Sequence, residues 1–387
     1  MSKQWLFPWL RRLRQLSGYR SMRSSGLSTR IVDNMSALHR KYVAYFTTGG
    51  AFSIALSWPF SRHEPSLEER IKEQMYNAFQ LIKDDHLEEA DAELHALLLT
   101  LDEATRSGRQ TNEEWLSRRA RVYSELANLK LLQKDYPAAE RLFVHTIRDC
   151  MASGVPPGSP MIIELSLKLA MVYSKLEDSE KAESGFAFCL MMQQQNCAAI
   201  SAYSEDDKPL SEEDLNNLAL LGVIQNSYAH YQILEGRLPA GRKLLEAALA
   251  TARRVYAPHH ANCINLLADL ANVESQLEMP KNARSRLKEA VDLIQSAVVA
   301  SKSEKQQSDI ALFNVYCQWA LLEGNQGAFN SAKKYLNEAK LLSAHLPADA
   351  DGQQTYQKQV ADVEATLQRW QDMEAGFQEL LVPNEEC

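Results

Sequence analysis

Ala127-Asn128-Leu129-Lys130-Leu131-Leu132-Gln133-Lys134-Asp135-Tyr136-Pro137-Ala138-Ala139-Glu140-Arg141-Leu142-Phe143 decides the fold. Ala127 and Ala139 stand twelve positions apart, with Phe143 four beyond and the turn-like Lys134-Asp135-Tyr136-Pro137 between them. Two antiparallel helices joined by a short turn need residues without bulk where their axes come closest. The same spacing recurs as Ala78/Ala90/Leu94, Ala170/Ala182/Phe186, Ala229/Gly241/Leu245, Ala271/Ala283/Leu287 and Ala320/Ala332/Leu336. Six matches at one internal spacing are a repeat signal.

Each pair encloses a turn: Lys83-Asp84-Asp85-His86, Glu177-Asp178-Ser179, Glu235-Gly236-Arg237-Leu238-Pro239, Glu278-Met279-Pro280 and Glu323-Gly324-Asn325-Gln326-Gly327 complete the set. Pro137, Pro239 and Pro280 fall just inside the second helix, where a missing N–H costs nothing. The Leu or Phe plugs the gap to the next hairpin, a pattern that resembles the tetratricopeptide repeat. The expected fold is therefore all-α, a TPR-like α-solenoid of about six hairpins over residues 66–345, without strands. Residues 346–387 supply a C-terminal capping helix, from roughly Asp351 to Leu381, and a tail. Ser66-x-x-Glu69 and Ser211-x-x-Asp214 read as capping boxes, and Ser159-Pro160 as an N-cap followed by the first helical residue. Ser153–Pro160 and Gln193–Pro209 read as loops between hairpins.

The ends differ in charge. Residues 1–41 contain nine Lys or Arg against the single acid Asp33, while the whole chain carries −8. Leu6, Leu10, Leu13 and Leu16 form an apolar stripe interleaved with Arg11, Arg12 and Arg14, which suits a mitochondrial import signal. Those arginines break the uninterrupted apolar stretch a secretory signal needs; a solvated basic tail is the other reading. Residues 42–61, between Lys41 and Arg62, are uncharged. At 1.5 Å per residue they reach about 30 Å, a bilayer core, with Tyr42, Tyr45 and Trp58 near the ends. A transmembrane helix is expected there, a buried or surface helix being the alternative. The positive-inside rule puts the body in the intermembrane space, with the matrix as alternative.

The negative balance argues against nucleic acid, whose phosphates require a basic face. No Gly-rich phosphate loop, HExxH, or set of nucleophile, base and orienter is present, so neither catalysis, a small-molecule substrate nor a cofactor is expected. His259 and His260 are adjacent, cannot converge on one metal, and mark a loop before the fifth hairpin. Six cysteines without a C-x-x-C pair read as packed thiols, Cys189 lying three residues after Phe186.

A stacked array binds along the wall formed by its first helices. Counted from the small residue, that wall includes Arg121, Ser124 and Asn128; Leu167 and Met171; Asn226 and His230; Ala268 and Asn272; and Cys317 and Leu321. The partner-binding candidates are Arg121, Asn128, Met171, Asn226, His230 and Asn272. Asn128 and Asn272 stand out because an amide offers both a donor and an acceptor to a peptide backbone. Met75 and Phe79 replace, in the first hairpin, the Lys and Asn of a carboxylate clamp.

Ile162-Ile163-Glu164-Leu165-Ser166-Leu167-Lys168-Leu169-Ala170 and Gly185-Phe186-Ala187-Phe188-Cys189-Leu190 resemble the family of mitochondrial tetratricopeptide repeat protein 19. The hairpin at Asp135–Phe143 and the Pro258-His259-His260 loop match its layout, and the resemblance covers roughly residues 66–345. It implies an inner-membrane factor that binds respiratory complex III (ubiquinol–cytochrome c oxidoreductase) and supports its assembly and upkeep, including clearance of Rieske iron–sulfur subunit fragments. The family has no catalytic residues to carry over. A soluble repeat adaptor of cytokinesis or a motor, and a regulatory subunit of a protease that removes Rieske fragments, are the alternatives.

Overall fold

The computed structural model of the chain describes residues 66–108, 111–200, 210–297, 302–346 and 352–381. These residues form thirteen α-helices, and among them there is no strand. They group into two compact units, divided between Ala199 and Ile200. Unit 1 holds the hairpins α1 (Leu67–Lys83) with α2 (Leu87–Arg106), α3 (Asn112–Leu132) with α4 (Tyr136–Ala152), and α5 (Pro160–Lys175) with α6 (Ser179–Asn196). Unit 2 holds α7 (Glu212–Leu234) with α8 (Leu238–Val255), α9 (Ala261–Gln276) with α10 (Pro280–Gln295), and α11 (Lys302–Asn325) with α12 (Phe329–Ser343). The tail helix α13 (Gly352–Leu381) follows.

All twelve small residues of the repeat are buried, and so are Leu94, Phe143, Phe186, Leu245, Leu287 and Leu336. Every hairpin turns in the same way. The residue seven past the first small one takes a left-handed backbone: Asp85, Lys134, Glu177, Gly236, Glu278 and Gly327, with φ between 58° and 74°. The next N–H then donates to the carbonyl five residues back: His86 to Leu81, Asp135 to Lys130, Asp178 to Tyr173, Arg237 to Gln232, Met279 to Glu274 and Ala328 to Glu323, all at 2.8–3.0 Å. This Schellman closure satisfies carbonyls that the first helix leaves open. Four of the six left-handed residues carry a side chain, a conformation that costs an L-residue about 1–2 kcal/mol.

The starts of the helices follow local chemistry. Ser66 with Glu69 and Ser211 with Asp214 form the expected capping boxes. Thr111 with Glu114 forms a third. Ser159 caps α5 by accepting from the Ile162 N–H, with Pro160 leading the helix. Asp135 and Asp178 cap α4 and α6, and His260 caps α9 through Nδ1. Two boundaries differ from the sequence reading. Helix α6 continues through Gln193 to Asn196, held there by burial of Gln193, so the loop begins later. Gly324 and Asn325 lie inside α11, leaving Gln326-Gly327 as the turn.

In unit 1, Met75, Leu94, Leu97 and Leu101 close over Val122, Leu126 and Leu129, which seats the first hairpin on α3. Phe143 and Ala139 then pack with Ile162, Leu165 and Val172 of α5. In unit 2, Leu245 and Leu249 meet Ile264, Leu267 and Leu270, and the same core runs on to Val315 and Leu322 of α11. Helix α13 caps that unit: Tyr356, Val360, Val363 and Leu367 pack on Phe313, Ala320, Leu336 and Ala339. Phe313 and Tyr356 meet edge to face at 5.2 Å. No helix among the described residues is long and apolar enough to cross a membrane. The expected import signal (1–41) and the candidate span (42–61) lie outside the described residues.

Candidate functional site

The wall residues come from the first helices, whose helical phase is fixed by the buried small residue of each. In unit 1, Arg121 on α3 is exposed and Ser124 half-buried, whereas Asn128 keeps 2% of its surface. Asn128 Nδ2 donates to Glu125 Oε2 at 3.4 Å, and its Oδ1 is buried without a hydrogen-bond partner. Leu167 and Met171 on α5 are buried. In unit 2, Asn226 (4% exposed) and His230 (5%) lie on α7. Asn226 Oδ1 has no partner, and His230 Nε2 is 3.2 Å from Asp269 Oδ2 on α9. Asn272 is half-buried and accepts from Gln276 Nε2 at 3.3 Å. Ala268 and Cys317 are buried and Leu321 half-buried.

The six partner-binding candidates differ in depth. Only Arg121 and Asn272 of the six present themselves to solvent; Asn128, Met171, Asn226 and His230 lie beneath the surface. Helical phase tells which way a side chain points, but burial depends on what the neighbouring elements cover. A buried carbonyl oxygen left without a donor costs about 1–3 kcal/mol. Asn128 and Asn226 each carry one, so each is an acceptor in want of an N–H or O–H.

The first helices also bury charges that the sequence reading missed. Glu164 and Lys168, one turn apart on α5, pair at 3.0 Å with both side chains almost fully enclosed. Burial pushes the Glu164 carboxyl above its ordinary range, and Lys168 pulls it back. The signal was available as an acid and a base at i, i+4 inside an apolar helix. In unit 2, Glu274 on α9 is wholly buried, takes Arg242 Nε at 3.1 Å, and lies 3.6 Å from Arg286. Glu323 on α11 receives Arg284 through two bonds at 2.8 and 2.9 Å and the Trp319 indole N–H at 3.2 Å. Removing one member of such a pair strands a charge of opposite sign.

Among the described residues no three His, Cys, Asp or Glu side chains converge as a metal site. Cys150, Cys189, Cys197, Cys263 and Cys317 are all buried free thiols. Burial pushes the Cys150 thiol up to about 11, with Asp149 adding to the effect, and the Cys189 thiol up to about 12. Cys189 donates to the Ile163 carbonyl at 3.5 Å and so ties α6 to α5. His259 and His260 sit where the chain enters α9, and His260 stacks on Tyr256 at 4.4 Å.

Residues 220–296 match the tetratricopeptide repeat family. The chain is similar to tetratricopeptide repeat protein 19, mitochondrial, of Mus musculus, with 29% identity over 222 residues, 56% of this chain and 59% of the mouse protein. That match spans less than two thirds of the relative's length. The Homo sapiens protein of the same name is 27% identical over 325 residues, 80% of each chain. Among solved structures, the apo form of RapI superposes with a TM-score of 0.52 at 10% identity, over 88% of this chain and 79% of that one, a likeness of fold alone. The resemblance read in the sequence thus agrees with mammalian relatives that bear the mitochondrial name.

Proposed function

We propose that this chain is a non-catalytic, membrane-anchored repeat factor of the mitochondrial inner membrane that binds respiratory complex III. In that role it supports assembly and maintenance of the complex, including clearance of Rieske subunit fragments. The observation that carries the reading is the similarity to mitochondrial tetratricopeptide repeat protein 19 over 325 residues, joined to a body made of docked helical hairpins. A basic, acid-poor start (1–41) followed by twenty uncharged residues (42–61) fits import and anchoring. Tethering a binding array beside a membrane complex raises its local concentration without any chemistry.

Arg121 and Asn272 are the direct partner contacts in this reading. Asn128, Met171, Asn226 and His230 shape the wall from below, and their substitution acts on binding through the helices that carry them. Affinity purification of the tagged full chain from mildly solubilised mitochondria tests the proposal. Recovery of complex III subunits, the Rieske protein included, supports it; recovery of cytosolic proteins alone favours a soluble adaptor and ends it. Protease treatment of mitoplasts tests the intermembrane-space orientation, which a body digested only after inner-membrane lysis contradicts.

A further inference from the structure

Among the polar contacts between successive hairpins, one pair recurs at the same two repeat positions. The first is the residue just after the second small residue of one hairpin. The other is the residue three past the first small residue of the next hairpin. Asp91 Oδ1 and Lys130 Nζ fill them at 2.7 Å between α2 and α3. Glu140 and Tyr173, which share a hydrogen bond, fill them between α4 and α5. Arg242 and Glu274 do so at 3.1 Å between α8 and α9, and Arg284 and Glu323 at 2.8 Å between α10 and α11. All four junctions inside the two units use this pair. Repeat spacing alone does not require it, because the four pairs differ in residue type.

The polarity changes between units. In unit 1 the second helix brings the acid, Asp91 or Glu140; in unit 2 it brings the base, Arg242 or Arg284. A unit 1 second helix docked on a unit 2 first helix would set Asp91 or Glu140 against Glu274 or Glu323. Two carboxylates would then meet, one of them enclosed and the other only half-buried, and the enclosed one has little water to screen it. Ala, Leu and Phe at the packing positions cannot supply this discrimination, since the repeat places the same kinds of apolar residue in every hairpin.

We infer that this pair is a register lock, which sets how each hairpin docks on the next and keeps hairpins of the two units from exchanging places. The test uses the full chain and the partly exposed pair in unit 1. Asp91→Arg, Lys130→Glu and the double variant, which carries the polarity of unit 2, are compared by hydrogen exchange resolved to each helix. Each single variant is expected to speed exchange in α1 and α2 about fivefold, while α9 to α12 stay unchanged. The double variant is expected to return α1 and α2 to within about twofold of the parent. Single variants without effect, or a double variant as fast as the worse single, overturn the inference. Thermal unfolding of Arg284→Glu, Glu323→Arg and their combination repeats the test in unit 2. There, recovery of most of the lost midpoint in the double variant supports the lock, and additive losses refute it.

Discussion

Gly241 is the one glycine among the twelve small positions of the repeat, and the structure makes its replacement informative. A Cβ built there would stand 2.5 Å from Ile233 Cγ1, 3.1 Å from the Ala229 carbonyl oxygen and 3.3 Å from Ile233 Cδ1. Carbon atoms at rest in a core sit about 3.5–4.0 Å apart. Ile233 cannot swing clear easily, because it is buried at the α7–α8 contact, and the carbonyl belongs to the α7 backbone. Overpacking of this kind costs about 1–3 kcal/mol, while Gly→Ala inside a helix returns about 0.8–1.0. Gly241→Ala should therefore destabilise the chain by about 1 kcal/mol. Ile233→Ala alone should cost about 2–5 kcal/mol through its cavity. In that background the clash with Ile233 is gone, and adding Gly241→Ala should now stabilise by up to about 1 kcal/mol. Urea unfolding of the four proteins, followed by circular dichroism, measures the cycle. Simple additivity, or a parent chain stabilised by Gly241→Ala, would refute the close approach of α7 and α8.

The left-handed turn residues give a second expectation. Lys134→Gly and Glu278→Gly should each stabilise by about 0.5–1 kcal/mol, and Gly236→Ala should destabilise by about as much, read as shifts in thermal midpoint. The thiols give a third: with pKa values raised to about 11 and about 12, Cys150 and Cys189 stay protonated at pH 8. Only about one part in a thousand of Cys150 is then thiolate. Mass spectrometry should find both unmodified by iodoacetamide in the native protein and alkylated in denaturant, whereas rapid native labelling would contradict their burial.

The hairpins were legible because their constraint is local: two helices that cross closely must carry small residues at a fixed separation, so Ala127 and Ala139 announce themselves. The turns were legible as turns, but their shared left-handed residue was hidden. Asp85, Lys134, Glu177 and Glu278 hold a conformation that sequence habit assigns to glycine. The inter-hairpin pairs were hidden for a different reason. Arg284 and Glu323 lie far apart along the chain, and nothing in either helix alone marks them as partners. The wall residues fall between these cases. The spacing from Ala127 and Ala229 gave the direction of Asn128 and Asn226, yet their depth depends on packing that periodicity does not encode.

If the first-helix wall is the docking surface, its exposed Arg121 and half-buried Asn272 are where a partner is felt most directly. The tagged full chain carrying Arg121→Glu and Asn272→Ala should keep the parent's helix content and unfolding midpoint to within about 0.5 kcal/mol, as surface changes do. In purifications from mitochondria it should recover about tenfold less complex III than the parent, the loss expected when contacts worth about 1.4 kcal/mol disappear. Undiminished recovery by a folded double variant would contradict the claim that this wall is where the partner binds.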